Sequence, residues 1–413
     1  MNTAYKINLC KKLLFLSYIS LIIGFFLNEN SSGGSKIDFL NTFPYVKKIS
    51  EDYFLGIELF NKSSGVVHFP LHYIIIALFI KCFNNIEITR ILFLHISILI
   101  PFFLYKSLKI TYNNKISILL IPSLIFLSPY FRSSAIWPTT DNTALIFFSI
   151  SIFFFLKITK RTMCSNFEYC GFILFFFLSS LTRQYYIAFI IYFIYVFYEK
   201  KIYKNFKNKI IYIIIFFILF GYLILKNLLK IKITESFLTD NIFNNIFINF
   251  SILFFYFFPF VFFNADNFKG FKIFFIKNIK FNLLSLLILV ILFIRFNYST
   301  LGGGFYFQLI NNYLSKEFFF IICLLGFYIS YYFIHNNINN FILTLIIFSI
   351  FNYKVIYQKY FDPLFIIIFF TLYKHNAIET VMNNMNSKLK NFFYTYIYLF
   401  LYLLINTIYR TII

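Results

Sequence analysis

The sequence predicts an all-α polytopic membrane protein, and three observations lead to this prediction. Of the 413 residues, 60% are hydrophobic and only 13% are charged, whereas soluble domains carry about 25% charged residues. Apolar runs close to the ~20 residues that a helix needs to cross a bilayer recur along the whole chain. The ~10-residue segments of alternating polarity that are typical of a membrane β-barrel do not occur in it.

The apolar segments predict about thirteen transmembrane helices, within a range of about 11–14. The predicted spans cover residues 13–27, 88–105, 115–130, 142–157, 168–181, 184–198, 209–227, 246–263, 281–296, 317–334, 338–351, 362–374 and 391–409. An odd number of spans places the two termini on opposite sides of the membrane. We expect the N-terminus inside and the C-terminus outside.

Alternate loops carry the charge pattern that fixes this orientation. The segments 106–115, 157–167, 199–209 and 269–280 are rich in lysine, and such loops face the cytoplasm under the positive-inside rule. The opposite face collects most of the acids, namely Asp38, Glu51, Asp52, Glu58, Asp141, Asp240 and Asp362. The net charge of +22 therefore reflects cytoplasmic loops, and we expect no nucleic-acid partner.

Residues 68–83 are apolar enough to span the membrane, but a span here would invert the charge pattern of all later loops. We therefore predict an amphipathic or re-entrant helix on the outer face. The first outer loop then runs over residues 28–87 and contains two or three short helices along the membrane. We expect one integral membrane domain over 1–413, with a helical core at 88–227 and variable transmembrane helices at 228–413.

Several classes of site are excluded by the absence of their motifs. The sequence has no Walker loop, no dinucleotide-binding glycine pattern, no HExxH motif and no Ser/His/Asp arrangement. Its five cysteines lack metal-ligand spacing and are interpreted as free thiols. Gly302-Gly303-Gly304 predicts only a turn. We therefore predict no protein-bound metal and require no cofactor, while a divalent cation as a reaction partner stays an open alternative.

Charged side chains on the outer face indicate where chemistry could occur, because charges at a membrane boundary are costly. Asp38 follows the first span, Asp141 begins the fourth and Arg183 lies between two spans. Lys354 and Lys359 precede the twelfth predicted span. A lipid-linked sugar phosphate presents its anion at the headgroup level, where Arg or Lys can hold it. A carboxylate nearby can serve as the general base.

A polar interruption between the third and fourth predicted spans offers further candidates. Trp137, the only tryptophan of the chain, and Tyr130 could stack on a sugar ring. Arg132 could bind the donor phosphate. His68 and His72 are candidates for contacting the acceptor, whereas two histidines without a third ligand are weak evidence for a metal site.

Each of these candidates also has a structural explanation. Asp38 could be an ordinary surface acid, and Asp141 could cap a helix, since Thr, Asp and Asn are all good capping residues. Trp137 could anchor the chain at the membrane interface, and Arg183 could snorkel or pair with a structural partner. The sequence leaves these alternatives open.

The features also follow one another in a specific order. An early outer-loop acid is followed by a proline-containing helix entry, an arginine near the next span and then a Ser-Pro, Arg and Asp series. The corresponding residues are Asp38, 68–74 (HFPLHYI), Arg90, Ser128, Pro129, Arg132 and Asp141. This order resembles the GT-C superfamily of polytopic glycosyltransferases, and in loop order and span count the bacterial lipid A aminoarabinose and mannosyl transferase branch. Residues 181–189 (LTRQYYIAF) and 360–365 (YFDPLF) are similar to dolichyl-phosphate-glucose α-1,2-glucosyltransferases.

The resemblance implies a GT-C-like fold and a hexosyltransferase that uses a polyprenyl-phosphate sugar on the outer or luminal face. It implies that Asp38 is the general base of an inverting displacement and that Asp141 assists or binds substrate. Lys354 or Lys359 would hold the donor phosphate. The acceptor would be a lipid-linked or cell-surface glycan or a protein. The chain departs from the family pattern in having a single acid at Asp38, where family members often carry two adjacent acids.

Two other functional classes stay in view. An O-antigen-type polymerase or ligase has a similar number of spans, but its large outer loop falls late in the chain. A transporter or lipid flippase tends to contain Gly- or Pro-broken helices, and this chain has only 12 Gly and 8 Pro. We therefore predict a membrane glycosyltransferase in a bacterial inner membrane, in preference to the endoplasmic reticulum. Its partners would be membrane lipid, a lipid-linked sugar donor and a glycan acceptor.

Overall fold

The computed structural model describes residues 3–63, 69–160, 165–201, 241–298, 302–351, 355–384 and 389–412. Within these ranges the regular elements are helices, and no strand is formed. The predicted all-α class is therefore confirmed for the described part of the chain. His68, Lys354, Asp240 and the span predicted at 209–227 lie outside the described residues.

Six of the described helices are long and apolar enough to cross a membrane, as in an integral multi-pass membrane protein. They cover Ala4–Phe26, Ile86–Thr111, Thr140–Lys160, Phe243–Phe262, Lys316–Ile334 and Leu389–Arg410. Up to nine spans result if each of three bent helix pairs counts as one. The predicted number of about thirteen is not confirmed, because the segments at 168–181 and 338–351 form helices of 17 and 13 residues, short of the ~20 that a span needs.

The described helices belong to two compact units. The first unit contains Met1–Lys226 and Leu399–Ile413, and the second contains Asn227–Tyr398. The helices of the first unit are α1 (Thr3–Phe26), α2 (Ser35–Glu51), α3 (Tyr53–Ser63), α4 (Leu71–Phe83), α5 (Ile86–Ser97), α6 (Leu99–Thr111), α7 (Lys115–Ile125), α8 (Pro129–Ile136), α9 (Thr140–Lys160), α10 (Asn166–Thr182) and α11 (Ile190–Glu199). A 3₁₀ segment, Gln184–Phe189, lies between α10 and α11.

Helices α2, α3 and α4 fill the first predicted outer loop. Helices α2 and α3 approach closely at Gly56, where a Cβ atom would lie 2.5 Å from the backbone nitrogen of Ile49. The apolar faces of α2 to α5 share one buried cluster, formed by Val46, Ile49, Phe60, Tyr73, Ile76, Ala77, Ile80 and Phe93. Helix α4 has 13 residues and is ~20 Å long, too short to cross the ~30 Å hydrocarbon core by itself. Its predicted position on the outer face stays a prediction.

The third predicted span is broken in the structure. Helix α7 ends at Ile125, α8 begins at Pro129, and the two helices are bent by 64°. Ser128 caps α8, since its Oγ accepts a hydrogen bond from the Phe131 N–H at 2.9 Å. Pro129 occupies the first turn, where its missing N–H leaves no helix hydrogen bond unmade. The polar interruption seen in the sequence therefore folds as a short, buried helix.

Helix α9 lies at the centre of the first unit and packs along α6 and α10. Gly171 of α10 allows the Phe154 ring to come close, because a Cβ atom there would lie 2.8 Å from Phe154 Cε2. Nearer to Asp141, the ring centroids of Phe148 and Tyr186 are 4.6 Å apart. Aromatic packing therefore fixes α9 against the 3₁₀ segment that follows α10.

The helices of the second unit are α12 (Asn241–Phe262), α13 (Ala265–Lys277), α14 (Ile279–Ile294), α15 (Gly304–Tyr313), α16 (Lys316–Ile334), α17 (Ile338–Ile350), α18 (Leu364–Thr371) and α19 (Asn376–Asn384). Helix α20 (Leu389–Ile412) follows, and its residues from Leu399 onward belong to the first unit. Helices α12 and α16 meet at Gly326, whose Cα lies against the Phe250 carbonyl so that a side chain would collide with it. The pairs α13–α14 and α18–α19 are bent by 83° and 92°.

The glycine run before α15 forms a turn. Residues 302–304 have φ angles of +76°, +82° and +80°, a left-handed conformation that glycine adopts without a Cβ clash. The Gly303 N–H donates to the Ile356 carbonyl at 2.7 Å, and the Phe305 N–H donates to Gln358 Oε1 at 2.6 Å. These bonds join the turn to the segment that contains Lys359.

Candidate functional site

Asp38 lies in the first turn of α2 and is exposed. The helix begins at Ser35, after a loop in which Gly33 has a φ angle of +80°. The Asp38 N–H donates to the Gly34 carbonyl at 2.9 Å, so the backbone of the acid is already part of the helix. A helix start is a favourable place for a carboxylate, because the free N–H groups there carry partial positive charge.

Hydrogen bonds of serine hydroxyls connect the loop before Asp38 to helix α8. Ser31 Oγ lies 3.0 Å from the Pro129 carbonyl and 3.1 Å from Ser133 Oγ. The Ser32 N–H donates to Ser133 Oγ at 2.8 Å. Ser31 and Ser133 are buried, so water does not compete for these bonds. The first-loop acid is therefore held against the polar segment that follows it by about a hundred residues.

Asp141 and Arg183 form an ion pair. The Arg183 Nη2 donates to Asp141 Oδ1 at 2.8 Å, and the two side chains are 14% and 23% exposed. Asp141 lies inside the first turn of α9, which begins at Thr140, and so is not the residue before the helix that caps it. Arg183 directly follows α10, where its N–H donates to the Ser179 carbonyl at 2.9 Å. The structure thus brings together two of the predicted site residues.

The charges of Asp38 and of the Asp141–Arg183 pair all act on Tyr73 of α4. Burial raises the pKa of the Tyr73 phenol to about 12, the positive charge of Arg183 lowers it, and the negative charges of Asp141 and Asp38 raise it. Charges on three separate elements therefore act on one hydroxyl group. At neutral pH this hydroxyl stays protonated and can donate a hydrogen bond.

Two tyrosines, Tyr185 and Tyr186, follow Arg183 closely in the chain. The ring centroids of Tyr185 and Tyr186 are 4.7 Å apart, and Tyr186 packs in turn against Phe148 and Phe189. Tyr185 keeps part of its side chain accessible, whereas Tyr186 is buried. A half-buried tyrosine therefore lies two residues after Arg183 in the chain.

Arg132 is buried and paired with Glu29. Arg132 Nε donates to Glu29 Oε1 at 2.8 Å, and the two side chains are 5% and 10% exposed. Its Nη1 donates to Ser20 Oγ at 2.9 Å and its Nη2 to the Ser20 carbonyl at 2.8 Å. Gly24 makes room for the pair, because a Cβ atom there would collide with the Glu29 carboxylate. These contacts engage Arg132 with protein groups, and its phosphate-binding role stays a prediction.

Trp137 is covered by protein groups. The Arg90 guanidinium lies 3.6 Å from the centre of the indole ring, and the Phe39 ring centroid lies 6.1 Å from it. The indole N–H donates to the Glu29 carbonyl at 3.1 Å. Only 6% of Trp137 is exposed. Sugar stacking on this ring stays a prediction and would require one of its faces to be uncovered.

The remaining predicted residues of the first unit lie on α4 and α8. His72 is buried, and its Nδ1 is 2.7 Å from Thr143 Oγ1 on α9. Tyr130 lies in the first turn of α8 and is half-buried. Among the described residues, no group of three or more His, Cys, Asp or Glu side chains is arranged to hold a metal ion. The acceptor-binding roles predicted for His68 and His72 and the sugar-stacking role predicted for Tyr130 stay predictions.

Lys359 belongs to the second unit. Its Nζ lies 5.6 Å from the ring centroid of Tyr357 and 5.9 Å from that of Tyr360, within range of cation–π attraction. Asp362, three residues later, is buried. The phosphate-binding role of Lys359 stays a prediction, as does that of Lys354, which lies outside the described residues.

Three residues of the site region were missed by the sequence reasoning. Glu29 is a lone acid directly after the first span, and its position at a span end was the available signal. Tyr73 and Tyr185 lie in apolar segments of a chain with 33 tyrosines. Nothing in the local sequence separates them from tyrosines that only pack, because their place beside Asp141 and Arg183 depends on contacts distant in the chain.

Comparisons of the chain with protein-family models, with curated proteins and with solved structures found no match. The GT-C resemblance therefore rests on the sequence motifs, and function must be argued from the residues of the site.

Proposed function

We propose that the protein is a membrane glycosyltransferase that transfers a sugar from a polyprenyl-phosphate donor to a lipid-linked or cell-surface glycan or protein acceptor. The observation that carries this proposal is the Asp141–Arg183 ion pair, whose charges act together with that of Asp38 on the Tyr73 phenol. Such a transfer needs a carboxylate that accepts a proton and a cation that stabilises a leaving phosphate. Asp38 and Asp141 supply the carboxylates, and Arg183 supplies the cation.

The proposed reaction is a single inverting displacement. The acceptor hydroxyl oxygen attacks the anomeric carbon while Asp38 takes its proton, and the glycosidic C–O bond forms. The bond between the anomeric carbon and the phosphate oxygen breaks, and its electron pair leaves with the polyprenyl phosphate. Arg183 stabilises the negative charge that develops on this phosphate. Asp141 assists the reaction or binds the substrate.

The proposal extends to the fold and the location. It includes a GT-C-like arrangement with about thirteen spans, a site on the outer or luminal face and a bacterial inner membrane in preference to the endoplasmic reticulum. The donor is the one small molecule required, and a divalent cation stays an open alternative. The GT-C-like arrangement is supported by the three short helices in the first predicted outer loop, the first of which begins close to Asp38.

Sugar transfer by the purified protein tests the proposal. The protein in lipid nanodiscs would be supplied with radiolabelled polyprenyl-phosphate sugars and with membrane glycolipids and glycoproteins as acceptors. We expect a labelled glycan product and an equal amount of released polyprenyl phosphate, and no product from nucleotide sugars. A folded, monodisperse protein that transfers sugar from none of the lipid-linked donors would overturn the proposal.

A transporter or lipid flippase is the second candidate, because the described part of the chain contains three sharply bent helix pairs. Broken helices are typical of transporters, whose half-helix ends contact the substrate. Proteoliposomes with a fluorescent polyprenyl phosphate in one leaflet separate the two functions. Movement of the lipid between leaflets without any new glycosidic bond would favour the transporter.

A further inference from the structure

The Asp141–Arg183 pair differs from the other arginine–carboxylate pairs of the first unit. Arg132 is enclosed with its partner and also donates to Ser20 and to the Phe126 carbonyl. Asp141 and Arg183 instead keep accessible side-chain surface on both partners. A ligand can therefore reach accessible surface on both partners of the Asp141–Arg183 contact.

The pair Arg90–Glu87 is a useful contrast. The Arg90 side chain is 3% exposed and donates to the Ile136 carbonyl and to Asn28 Oδ1, while the Glu87 side chain is 59% exposed. Loss of the Glu87 carboxylate would leave Arg90 buried, stacked on Trp137 and held by other acceptors. A ligand in solution cannot use Arg90 in the way that it can use Arg183.

The start of α9 adds a second feature that favours an anion. The first N–H groups of a helix have no acceptor within the helix and carry partial positive charge. Thr139, directly before α9, has a buried hydroxyl without a hydrogen-bond partner among the described residues. The start of α9 therefore combines the guanidinium paired with Asp141, the first helix N–H groups and, one residue before the helix, a buried hydroxyl.

We propose that the Asp141 carboxylate occupies the binding site of a substrate oxyanion, and that ligand binding exchanges one anion for the other at Arg183. The ligand class is a phosphate ester, and the assignment to a lipid-linked phosphate rests on the function proposed above. When the phosphate pairs with Arg183, the Asp141 carboxylate is released from the guanidinium. The two anions compete for the Arg183 guanidinium, so the Asp141 carboxylate weakens binding of the phosphate.

A binding experiment with four proteins tests this exchange. The wild type, Asp141→Asn, Arg183→Gln and the control Glu87→Gln would be purified in detergent. Each would be titrated with farnesyl phosphate, inorganic phosphate and farnesol. We expect Asp141→Asn to bind farnesyl phosphate about fivefold more tightly, because an accessible competing ion pair is removed. Arg183→Gln should bind at least about tenfold more weakly, because a charge-assisted hydrogen bond is lost. Glu87→Gln should bind like the wild type.

The comparison of ligands identifies the source of the phosphate. Tighter binding of farnesyl phosphate but not of inorganic phosphate in Asp141→Asn would support a lipid-linked ligand. Equal tightening for both would support the exchange with free phosphate as its ligand. Farnesol should show no difference between Asp141→Asn and the wild type, since it carries no anion. A Thr139→Val variant should weaken phosphate binding if the buried hydroxyl takes part.

Two results would overturn the exchange. One is a monodisperse Asp141→Asn protein that binds farnesyl phosphate no more tightly than the wild type, while Arg183→Gln weakens binding. The other is equal binding by Arg183→Gln and the wild type. If the wild type also transfers sugar, only the exchange fails and the proposed function stands. If the wild type neither binds a phosphate ester nor transfers sugar, the proposed function fails with it.

Discussion

At the scale of single residues, the first unit uses arginine–carboxylate pairs in two ways. Arg132 and Glu29 are enclosed, and Gly24 leaves space for them against α1. Breaking such a pair by neutralising one partner is costly, because the remaining charge stays buried without compensation. Arg183 and Asp141 keep accessible surface, and we propose that a ligand exchanges their contact. The same chemical pair is therefore enclosed in one place and partly accessible in the other, where we propose a functional role.

Replacement of Glu29 by glutamine tests the structural pair. We expect Glu29→Gln to lower the free energy of unfolding by about 3 kcal/mol, because Arg132 loses its buried counter-charge. The matched control is Glu58→Gln, which removes a carboxylate from an exposed pair with Lys62 and should cost less than about 1 kcal/mol. Denaturant unfolding of both variants in detergent measures the difference. Equal stabilities would contradict the assignment.

At the scale of elements, local sequence signals predicted part of the fold. The break before α8 combines Ser128 as a cap with Pro129 in the first turn, and both signals are readable in the sequence. The number of spans was not readable, because an apolar run of 17 residues such as Asn166–Thr182 has the same composition whether it packs inside the protein or crosses lipid. Tertiary contacts decide between the two, and hydropathy does not contain them.

The candidate site shows the same difference between what local sequence signals predict and what tertiary contacts decide. Asp38, Asp141 and Arg183 stood out because charges are rare in apolar surroundings. The pairing of Asp141 with Arg183 could not be derived, since it depends on how α10 packs along α9. Tyr73 could not be selected, since a tyrosine in an apolar helix usually only packs. The sequence therefore identified charged candidates but not the aromatic group that they share.

The position of α2 relative to the membrane is tested by cysteine labelling. In a variant whose native cysteines are replaced by serine, Asn41→Cys on α2 should react with an impermeant thiol reagent from outside intact cells. Asn41 is exposed, whereas Ser134 on the same predicted face is buried and unsuitable. The matched control, Asn113→Cys, lies in the exposed loop predicted to face the cytoplasm and should react only after lysis. The reverse pattern would contradict the orientation.

At the scale of the whole molecule, the proposed chemistry belongs to one compact unit. Asp38, Asp141, Arg183 and Tyr73 all belong to residues 1–226. These groups come from α2, α4, α9 and the end of α10, four elements that pack within that unit. The first unit therefore contains both the proposed base and a cation for the leaving phosphate.

The most direct test of the central claim is the rate of sugar transfer by Asp38→Asn beside Glu58→Gln. Both variants remove one exposed carboxylate from the first predicted outer loop, but only Asp38 is assigned as the general base. We expect Asp38→Asn to transfer sugar from the polyprenyl-phosphate donor at least about 100-fold more slowly, the usual contribution of a general base. Glu58→Gln should retain the wild-type rate. A wild-type rate in Asp38→Asn would contradict the account.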